Sequence, residues 1–253
     1  MTIRRTIVNL VILTGALLSP LIVAAEAQQP QADPKLTEVW EPVPRVVTPG
    51  TGTAAPSDAI VLFNGTDLSE WQHTDGSPVK WKVSDRAVTV VKDGGNIRTK
   101  RAFGDCQLHI EWRSPAKAEG DGQNRGNSGV FLQERYEVQV LDSYNNRTYS
   151  NGQAGSIYKQ HIPLVNASRK PGEWQSYDIF FRAPRFAEDG TVVTPGSMTV
   201  VHNGVLVQDH VEIKGTTANV GKQSYQKHNA KEPILLQDHG APVSYRNIWI
   251  REL

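Results

Sequence analysis

The sequence predicts an all-β protein, a β-sandwich built as a jelly roll. Short apolar runs are separated by turn signals about every 8 to 12 residues, which is the spacing typical of sandwiches and barrels. Almost no segment keeps a helical period over about ten residues. Hydrophobic residues make up 38% of the 253-residue chain, a share that suits a sheet sandwich with one face in water.

The first 27 residues have the pattern of a secretory signal. Arg4 and Arg5 precede an apolar run over residues 8–25, and Ala25-Glu26-Ala27 is a small-x-small cleavage site. A membrane anchor is the alternative, but polar and helix-breaking residues interrupt the run. We therefore expect a periplasmic or secreted protein with no stable membrane insertion after cleavage.

Residues 28–57 form a Pro-rich linker or arm, and residues 58–253 form the predicted folded domain. Prolines recur too often in the arm for a helix or a central strand. An extended segment around Trp40 either straps the domain or is disordered.

Charge and cysteine content exclude several functions. The net charge is +1, which gives no reason to expect nucleic acid or an anionic membrane as a partner. Cys106 is the only cysteine, so neither an internal disulfide nor a Cys-based metal site is expected. The sequence leaves the oligomeric state open.

The predicted strands follow from alternation and from turn residues between them. Asn203-Gly204 is the strongest hairpin signal, and residues 106–113 alternate apolar and polar side chains. A glycine turn at 126 opens a stretch, 126–144, that reads as two strands. The predicted strands are 59–63, 81–83, 87–91, 96–99, 106–113, two within 126–144, 157–161 as an edge, 174–183, 198–202, 205–211, 234–239 and 247–253.

The second strand of that stretch, residues 136–141, carries the first candidate site residues. Its alternation turns Tyr136, Val138 and Val140 to the core and Glu137 and Gln139 to the other face. A carboxylate and an amide then lie about 7 Å apart along one strand. Such a pair is either a solvated surface or part of a polar site.

A second polar pair lies near the C-terminus, where Gln237 and His239 share a face of the 234–239 strand. If the two strands line one concave sheet, their polar side chains converge in a sugar-sized hollow. His109 and Glu111 are further candidates from a third strand, or a salt bridge. The other reading of His239 is a residue that ends its strand before a glycine.

No metal-binding motif is present, so the sequence requires no transition-metal site and no cofactor. A divalent ion held by Asp, Glu and His from separate strands remains open.

Several motifs together resemble the 3-keto-disaccharide hydrolase domain family, which was long catalogued as a domain of unknown function. They are residues 62–71 (LFNGTDLSEW), 126–144, 172–178 (GEWQSYD), 236–240 (LQDHG) and 246–250 (RNIWI), in the family's order across about residues 59–253. The resemblance implies a concanavalin-like jelly roll and a carbohydrate substrate. It also implies hydrolase or lyase cleavage of glycosides oxidised at C3.

The residue types fit that chemistry. A ketone at C3 acidifies the C2 proton, so a base removes it, the oxygen at C1 leaves, and water adds to the enone. We expect Glu137 and His239 as the catalytic acid and base. Gln139, Gln237 and Arg125 would orient hydroxyls or the developing oxyanion, and His161 and Tyr158 are further substrate-binding candidates.

Three other readings stay open. Aromatic residues near the polar face suit a non-catalytic carbohydrate-binding module equally well. A retaining glycosidase would need a second carboxylate about 5.5 Å from the first, and Asp142 is expected on the opposite face of the strand unless a bulge intervenes. A partner-binding envelope protein, docked through the Pro-rich arm, is the third.

Overall fold

The computed structural model describes residues 33–253. They divide into two units that meet between Arg45 and Val46. The described part of the first unit holds a short 3-10 helix, Pro34–Thr37, and Trp40, whose surface is 79% exposed. The predicted signal, residues 1–27, and the start of the predicted arm lie outside the described residues. Within residues 33–253, no helix has the length and hydropathy needed to cross a bilayer.

The second unit is built from fifteen strands, and the predicted all-β fold is confirmed. Two further 3-10 helices, Gly122–Asn124 and Ser150–Gly152, lie in loops. The strands are β1 (Ile60–Phe63), β2 (Trp71–His73), β3 (Lys82–Ser84), β4 (Ala87–Thr89), β5 (Ile97–Phe103), β6 (Cys106–Arg113), β7 (Ser128–Leu132), β8 (Tyr136–Val140), β9 (Gln175–Arg182), β10 (Arg185–Phe186), β11 (Val192–Thr194), β12 (Ser197–His202), β13 (Val205–Glu212), β14 (Glu232–Leu236) and β15 (Ser244–Glu252).

Two antiparallel sheets form a jelly-roll sandwich. The large sheet has the order β13-β12-β9-β6-β15-β4-β3, with β1 also paired to β15. The small sheet has the order β2-β5-β14-β7-β8, and β10 and β11 form a separate ribbon. Neighbours along these sheets are far apart in the chain, as in a sandwich whose strands cross from one sheet to the other.

The core lies between the two sheets and follows the alternation of the sequence. Leu108, Ile110 and Trp112 on β6 are fully buried, as are Val130 and Val138 on the facing small sheet. The predicted bounds of β6 and the hairpin at Asn203-Gly204 are confirmed. Burial raises the pKa of the Cys106 thiol to about 12, so this cysteine is a packing residue rather than a reactive one.

Two predicted strands near the candidate site residues are shorter in the structure. The strand expected over 234–239 ends at Leu236, because Asp238 turns the chain by accepting hydrogen bonds from the backbone amides of Gly95 and Gly240. The edge expected over 157–161 is reduced to isolated bridges at Ile157, one of them to Val138.

Residues 46–57, which the sequence assigns to the arm, belong to the second unit and cover the outer face of the large sheet. The Thr53 hydroxyl donates to Glu111 (2.9 Å), and its carbonyl accepts from the indole of Trp249 (3.0 Å). This segment therefore buries polar side chains that a bare sheet would leave in water.

Candidate active site

The β7–β8 hairpin carries Glu137 and Gln139 on the side of the small sheet that faces away from the core. Its register pairs Phe131 with Glu137 and Gly129 with Gln139. Two consecutive turn residues, Gln133 and Glu134, adopt left-handed backbone angles (φ 53° and 56°) that reverse the chain. The predicted facing of Glu137 and Gln139 follows from this register.

Both faces of β8 are buried, so the face with Glu137 and Gln139 is not the solvated surface that the sequence left as one of two possibilities. The segment after Gly155 runs along the free edge of β8, where the Tyr158 amide donates to the Glu137 carbonyl (3.1 Å). At the same edge, the Glu137 backbone amide donates to the Thr217 hydroxyl (3.0 Å). As a result only 4% of the Glu137 surface is exposed.

Glu137 is buried without a cation. Burial raises the pKa of its carboxyl to about 8, so the group holds its proton at neutral pH. Gly129 makes room for it: a Cβ there would lie 2.6 Å from Glu137 Oε1 and 2.7 Å from the Phe131 ring. Because Gly129 on the neighbouring strand β7 has no side chain, the Glu137 carboxyl can lie flat over the sheet at this position.

An amide network holds the carboxyl. Gln139 Nε2 lies 2.9 Å from Gln123 Oε1 and 3.4 Å from Asn127 Oδ1, which leaves the Gln139 amide oxygen 3.0 Å from Glu137 Oε1. A protonated carboxyl donates to that oxygen. When the carboxyl is ionised, the Gln139 side-chain amide rotates by about 180°, and its nitrogen then donates to Glu137 and to the Ser128 carbonyl (3.1 Å). The orientation of the Gln139 amide is thus tied to the protonation state of Glu137, and it also decides whether the amide oxygen lies beside the Ser128 carbonyl or beside Gln123 Oε1.

A cleft of about 510 Å³ opens at one end of this network. Arg125, Asn127, Asp142 and His239 are among its lining residues. Asn127 links the cleft to Gln139 and hence to Glu137. Asn127 and Gln123 were not predicted as site residues; the only signal for them in the sequence is the polar, glycine-bearing loop that precedes β7.

Arg125 and Asp142 form a buried, two-pronged ion pair in the cleft wall. Arg125 Nε and Nη2 donate to the Asp142 carboxylate at 2.9 and 3.1 Å, and Nη2 also donates to the Tyr144 carbonyl. Arg125 Nη1 has no hydrogen bond within the described residues. The pair fixes the guanidinium and leaves one nitrogen for a ligand.

Asp142 lies on the cleft side, contrary to the expected opposite face. Alternation breaks after β8, because Val140 and Leu141 are both in the core cluster. Five residues of extended chain still put the Cα atoms of Glu137 and Asp142 about 16 Å apart, far from the carboxylate spacing of a retaining glycosidase.

Gln237 lies on the same side of the small sheet as Gln139. The backbone amide of Gln237 donates to the Gly129 carbonyl (3.0 Å). Gly129 therefore lies between the two glutamines, whose Cα atoms are about 10 Å apart. By the same spacing, Glu137 and Gln237 are about 12 Å apart. His239 follows two residues later, beyond the end of β14, with an exposed ring on the cleft wall.

Tyr158 and His161 are not among the residues that line the cleft. Tyr158 is close enough to Glu137 for the two to interact electrostatically, and its hydroxyl pairs with that of Tyr149 (2.5 Å). His161 is directed to the large sheet, where Nε2 contacts the Glu212 carbonyl (2.6 Å). The structure thus brings Tyr158 to the site and gives His161 a partner outside it.

His109 and Glu111 lie on the outer face of the large sheet, away from this cleft. His109 Nδ1 contacts Asp178 (2.7 Å), and its ring stacks on Trp249. Glu111 pairs with Arg246 (2.6 Å) beneath the 46–57 segment. These side chains form a polar cluster of their own and do not join Glu137.

Among residues 33–253, no three His, Cys, Asp or Glu side chains come together closely enough to hold a metal ion. The groups around Glu137 are mostly amides, and the Asp142 carboxylate in the cleft wall is paired with Arg125. The described residues therefore do not fit a divalent ion, and no step is assigned to one.

The solved structures similar to this chain include three from one organism, and no curated protein matches it. A candidate glycosyl hydrolase from Parabacteroides distasonis is 54% identical, covers 89% of this chain and 99% of its own, and has a TM-score of 0.85. Two others described in the same way, from the same organism, are 20% and 21% identical. They cover 78% and 77% of this chain and 94% and 99% of their own, with TM-scores of 0.58 and 0.54, and show the fold alone.

The sequence profile of the family described as the 3-keto-alpha-glucoside-1,2-lyase-like domain matches residues 58–251. That span contains every strand of both sheets except the last residue of β15, together with all the predicted site residues. The expected family resemblance is confirmed. The chain belongs to the 3-keto-alpha-glucoside-1,2-lyase-like family, and the solved structure that is 54% identical to it is described as a candidate glycosyl hydrolase.

Proposed function

We propose that this protein cleaves the glycosidic bond of 3-keto-glycosides by C2 deprotonation followed by elimination and hydration. The observation that carries the proposal is the buried Glu137 carboxyl, which has no cation and is held by amides that reach a 510 Å³ cleft. Family membership supports the substrate class. Burial of an uncompensated carboxyl is costly for stability and is the usual means of preparing an acid catalyst.

In this proposal Glu137 is the acid. A base takes the proton from C2, the C1–O bond breaks, and the Glu137 carboxyl donates its proton to the leaving oxygen. The electron pair of the C2–H bond forms the C1=C2 double bond, conjugated with the ketone at C3. Water then adds across that double bond and releases the 3-keto sugar.

His239 is the proposed base, and Gln237 and Arg125 orient the sugar. His239 has no hydrogen bond within the described residues, so its ring is available to substrate in the cleft. Gln237 and Arg125 Nη1 supply donors for the sugar hydroxyls and for the oxygen at C3, where negative charge develops as the C2 proton leaves, while Gln139 holds the Glu137 carboxyl in place. Tyr158 adds an aromatic face next to Glu137.

The test is product analysis with a 3-keto-glucoside and the matching unoxidised glucoside. We expect release of the aglycone from the oxidised substrate only, with 2-hydroxy-3-keto-glucal as a transient product if elimination and hydration are separate events. Cleavage of the unoxidised glucoside at a similar rate would contradict the role of the C3 ketone. Binding without release would support the carbohydrate-binding module instead.

We also propose that the protein works outside the cytoplasm. The support is the signal-like pattern of residues 1–27. N-terminal sequencing of the protein from a periplasmic or culture fraction should find a chain that begins at or near Gln28. A full-length N-terminus retained in the cytoplasm would contradict export.

A further inference from the structure

The cleft beside the proposed catalytic carboxyl has more cationic groups than it has partners for them. Lys92, Lys117 and Arg125 line it together with Glu119 and Asp142, which is three fixed cations against two anions. Lys117 is paired with Glu119 (2.8 Å) and Arg125 with Asp142 (2.9 Å). Lys92 is the cation left over.

Three donors in this cleft are therefore open to a ligand. Lys92 is exposed and has no hydrogen bond or ion pair within residues 33–253. Arg125 keeps Nη1 unbonded while Asp142 and the Tyr144 carbonyl hold its other nitrogens. The ring of His239 is exposed on the same wall. They come from three separate loops, so their convergence is set by the fold and not by one stretch of sequence.

We infer that the cleft binds an anionic substituent, and that the substrate class of this enzyme is a glycoside bearing a carboxylate. A carboxylate accepts hydrogen bonds in the plane of a guanidinium edge and pairs with an ammonium at the same time. A neutral sugar would leave the Lys92 ammonium without a partner. The inference rests on the proposed function, because it takes the cleft as the entrance to Glu137.

The carboxylate has two sources, the sugar ring or the aglycone, and a binding experiment distinguishes them. We would titrate the full mature chain, by calorimetry at low salt, with four unoxidised ligands. Methyl glucuronoside and methyl glucoside differ in the acid on the sugar, and 4-carboxyphenyl glucoside and phenyl glucoside differ in the acid on the aglycone. Because these ligands are not oxidised at C3, binding is measured apart from cleavage.

We expect one acidic ligand to bind about tenfold more tightly than its neutral counterpart, and the preference to shrink as salt is added. Lys92→Ala should remove most of that preference, and Lys92→Arg should keep it. Lys82→Ala is the matched control, since Lys82 is an exposed lysine on β3 that does not line the cleft. Lys82→Ala should leave the preference unchanged.

Equal affinity for the acidic and neutral ligands, or no binding of either, would overturn the inference. So would an acid preference that survives Lys92→Ala. Cleavage of a neutral 3-keto-glucoside without any acid preference would leave the proposed reaction standing and reject only the anionic substrate class. Tight acid binding without cleavage of any 3-keto-glycoside would do the reverse.

Discussion

Two buried glutamates on the two sheets of this sandwich have opposite surroundings. Glu111, on the large sheet, receives hydrogen bonds from Arg246 (2.6 Å) and Asn247 (2.9 Å). Burial by itself would raise its pKa, but the neighbouring His109 and the hydrogen bonds from Asn247 and Arg246 lower that pKa well below the ordinary value. Glu137, on the small sheet, has only an amide beside it, and burial raises its pKa to about 8.

Under the proposed mechanism, this difference separates a structural charge, Glu111, from the reacting acid, Glu137. Glu111 belongs to a chain of alternating charges in which His109, also bonded to Asp178, has its pKa raised to about 9 against the effect of burial. The Nε2 atom of His109 lies 3.8 Å from Glu111 Oε1, which is an ion-pair distance rather than a hydrogen bond. Glu137 has no such compensation, so its burial costs stability and prepares it to give up a proton during a reaction.

The largest expected effect is on the rate. Glu137→Gln should lower turnover of a 3-keto-glucoside at least 100-fold, because an amide cannot donate the proton the leaving oxygen needs. The matched variant Glu111→Gln makes the same side-chain substitution at a similarly buried position and should keep turnover within about twofold. Steady-state kinetics at neutral pH on both variants gives the comparison.

Similar losses in the two variants would mean that the rate reports stability and not chemistry. Circular dichroism of Glu137→Gln controls for folding, and its fold should be intact, since the change removes a buried ionisable group. Near-normal turnover in Glu137→Gln would take this residue out of the mechanism.

A smaller loss is expected when the space around the carboxyl is filled. Gly129→Ala places a methyl group 2.6 Å from Glu137 Oε1, so the carboxyl must move away from Gln139. We expect turnover to fall about tenfold, because a small displacement of a positioned catalytic group is costly. Gly104→Ala, where the nearest atom lies 3.2 Å away on the Ala230 carbonyl, is the control and should keep its rate.

Strand alternation in the sequence predicted much of this, including the facing of Glu137 and Gln139 and the full length of β6. It did not predict the turn at Gln133 and Glu134, because neither residue is typical of left-handed backbone angles. The predicted facing of Asp142 was wrong because Val140 and Leu141 are both in the core, which breaks the strand alternation just before Asp142. The surroundings of the two glutamates could not be read from local pattern, since their partners come from distant segments.

For stability we expect the opposite order, with the larger loss in Glu111→Gln and the smaller in Glu137→Gln. Glu111→Gln should lower the free energy of unfolding by about 2 kcal/mol, because charge-assisted hydrogen bonds from partners such as Arg246 lose their charged acceptor. Glu137→Gln should leave it unchanged or raise it. Urea denaturation near neutral pH measures both, and a larger loss in Glu137→Gln would contradict the assigned surroundings.

The two glutamates should also differ in the pH dependence of stability. The folded pKa of Glu137, about 8, exceeds the unfolded value of about 4.5, so the folded state binds more protons in that window and stability falls as pH rises through it. His109 adds a second fall between about 6.5 and 9, since its folded pKa is also raised. Glu137→Gln should remove the first fall and keep the second, and identical urea profiles from pH 5 to 8 would contradict this.

The most direct test is to titrate the Glu137 carboxyl itself. Carbon-13 NMR of protein labelled at the glutamate side-chain carboxyls, with Glu137→Gln to assign the resonance, follows its protonation in the free enzyme. A resonance that titrates near pH 8 is the predicted result. One that titrates between about pH 4 and 5 would show an ordinary ionised carboxylate and contradict its role as the acid.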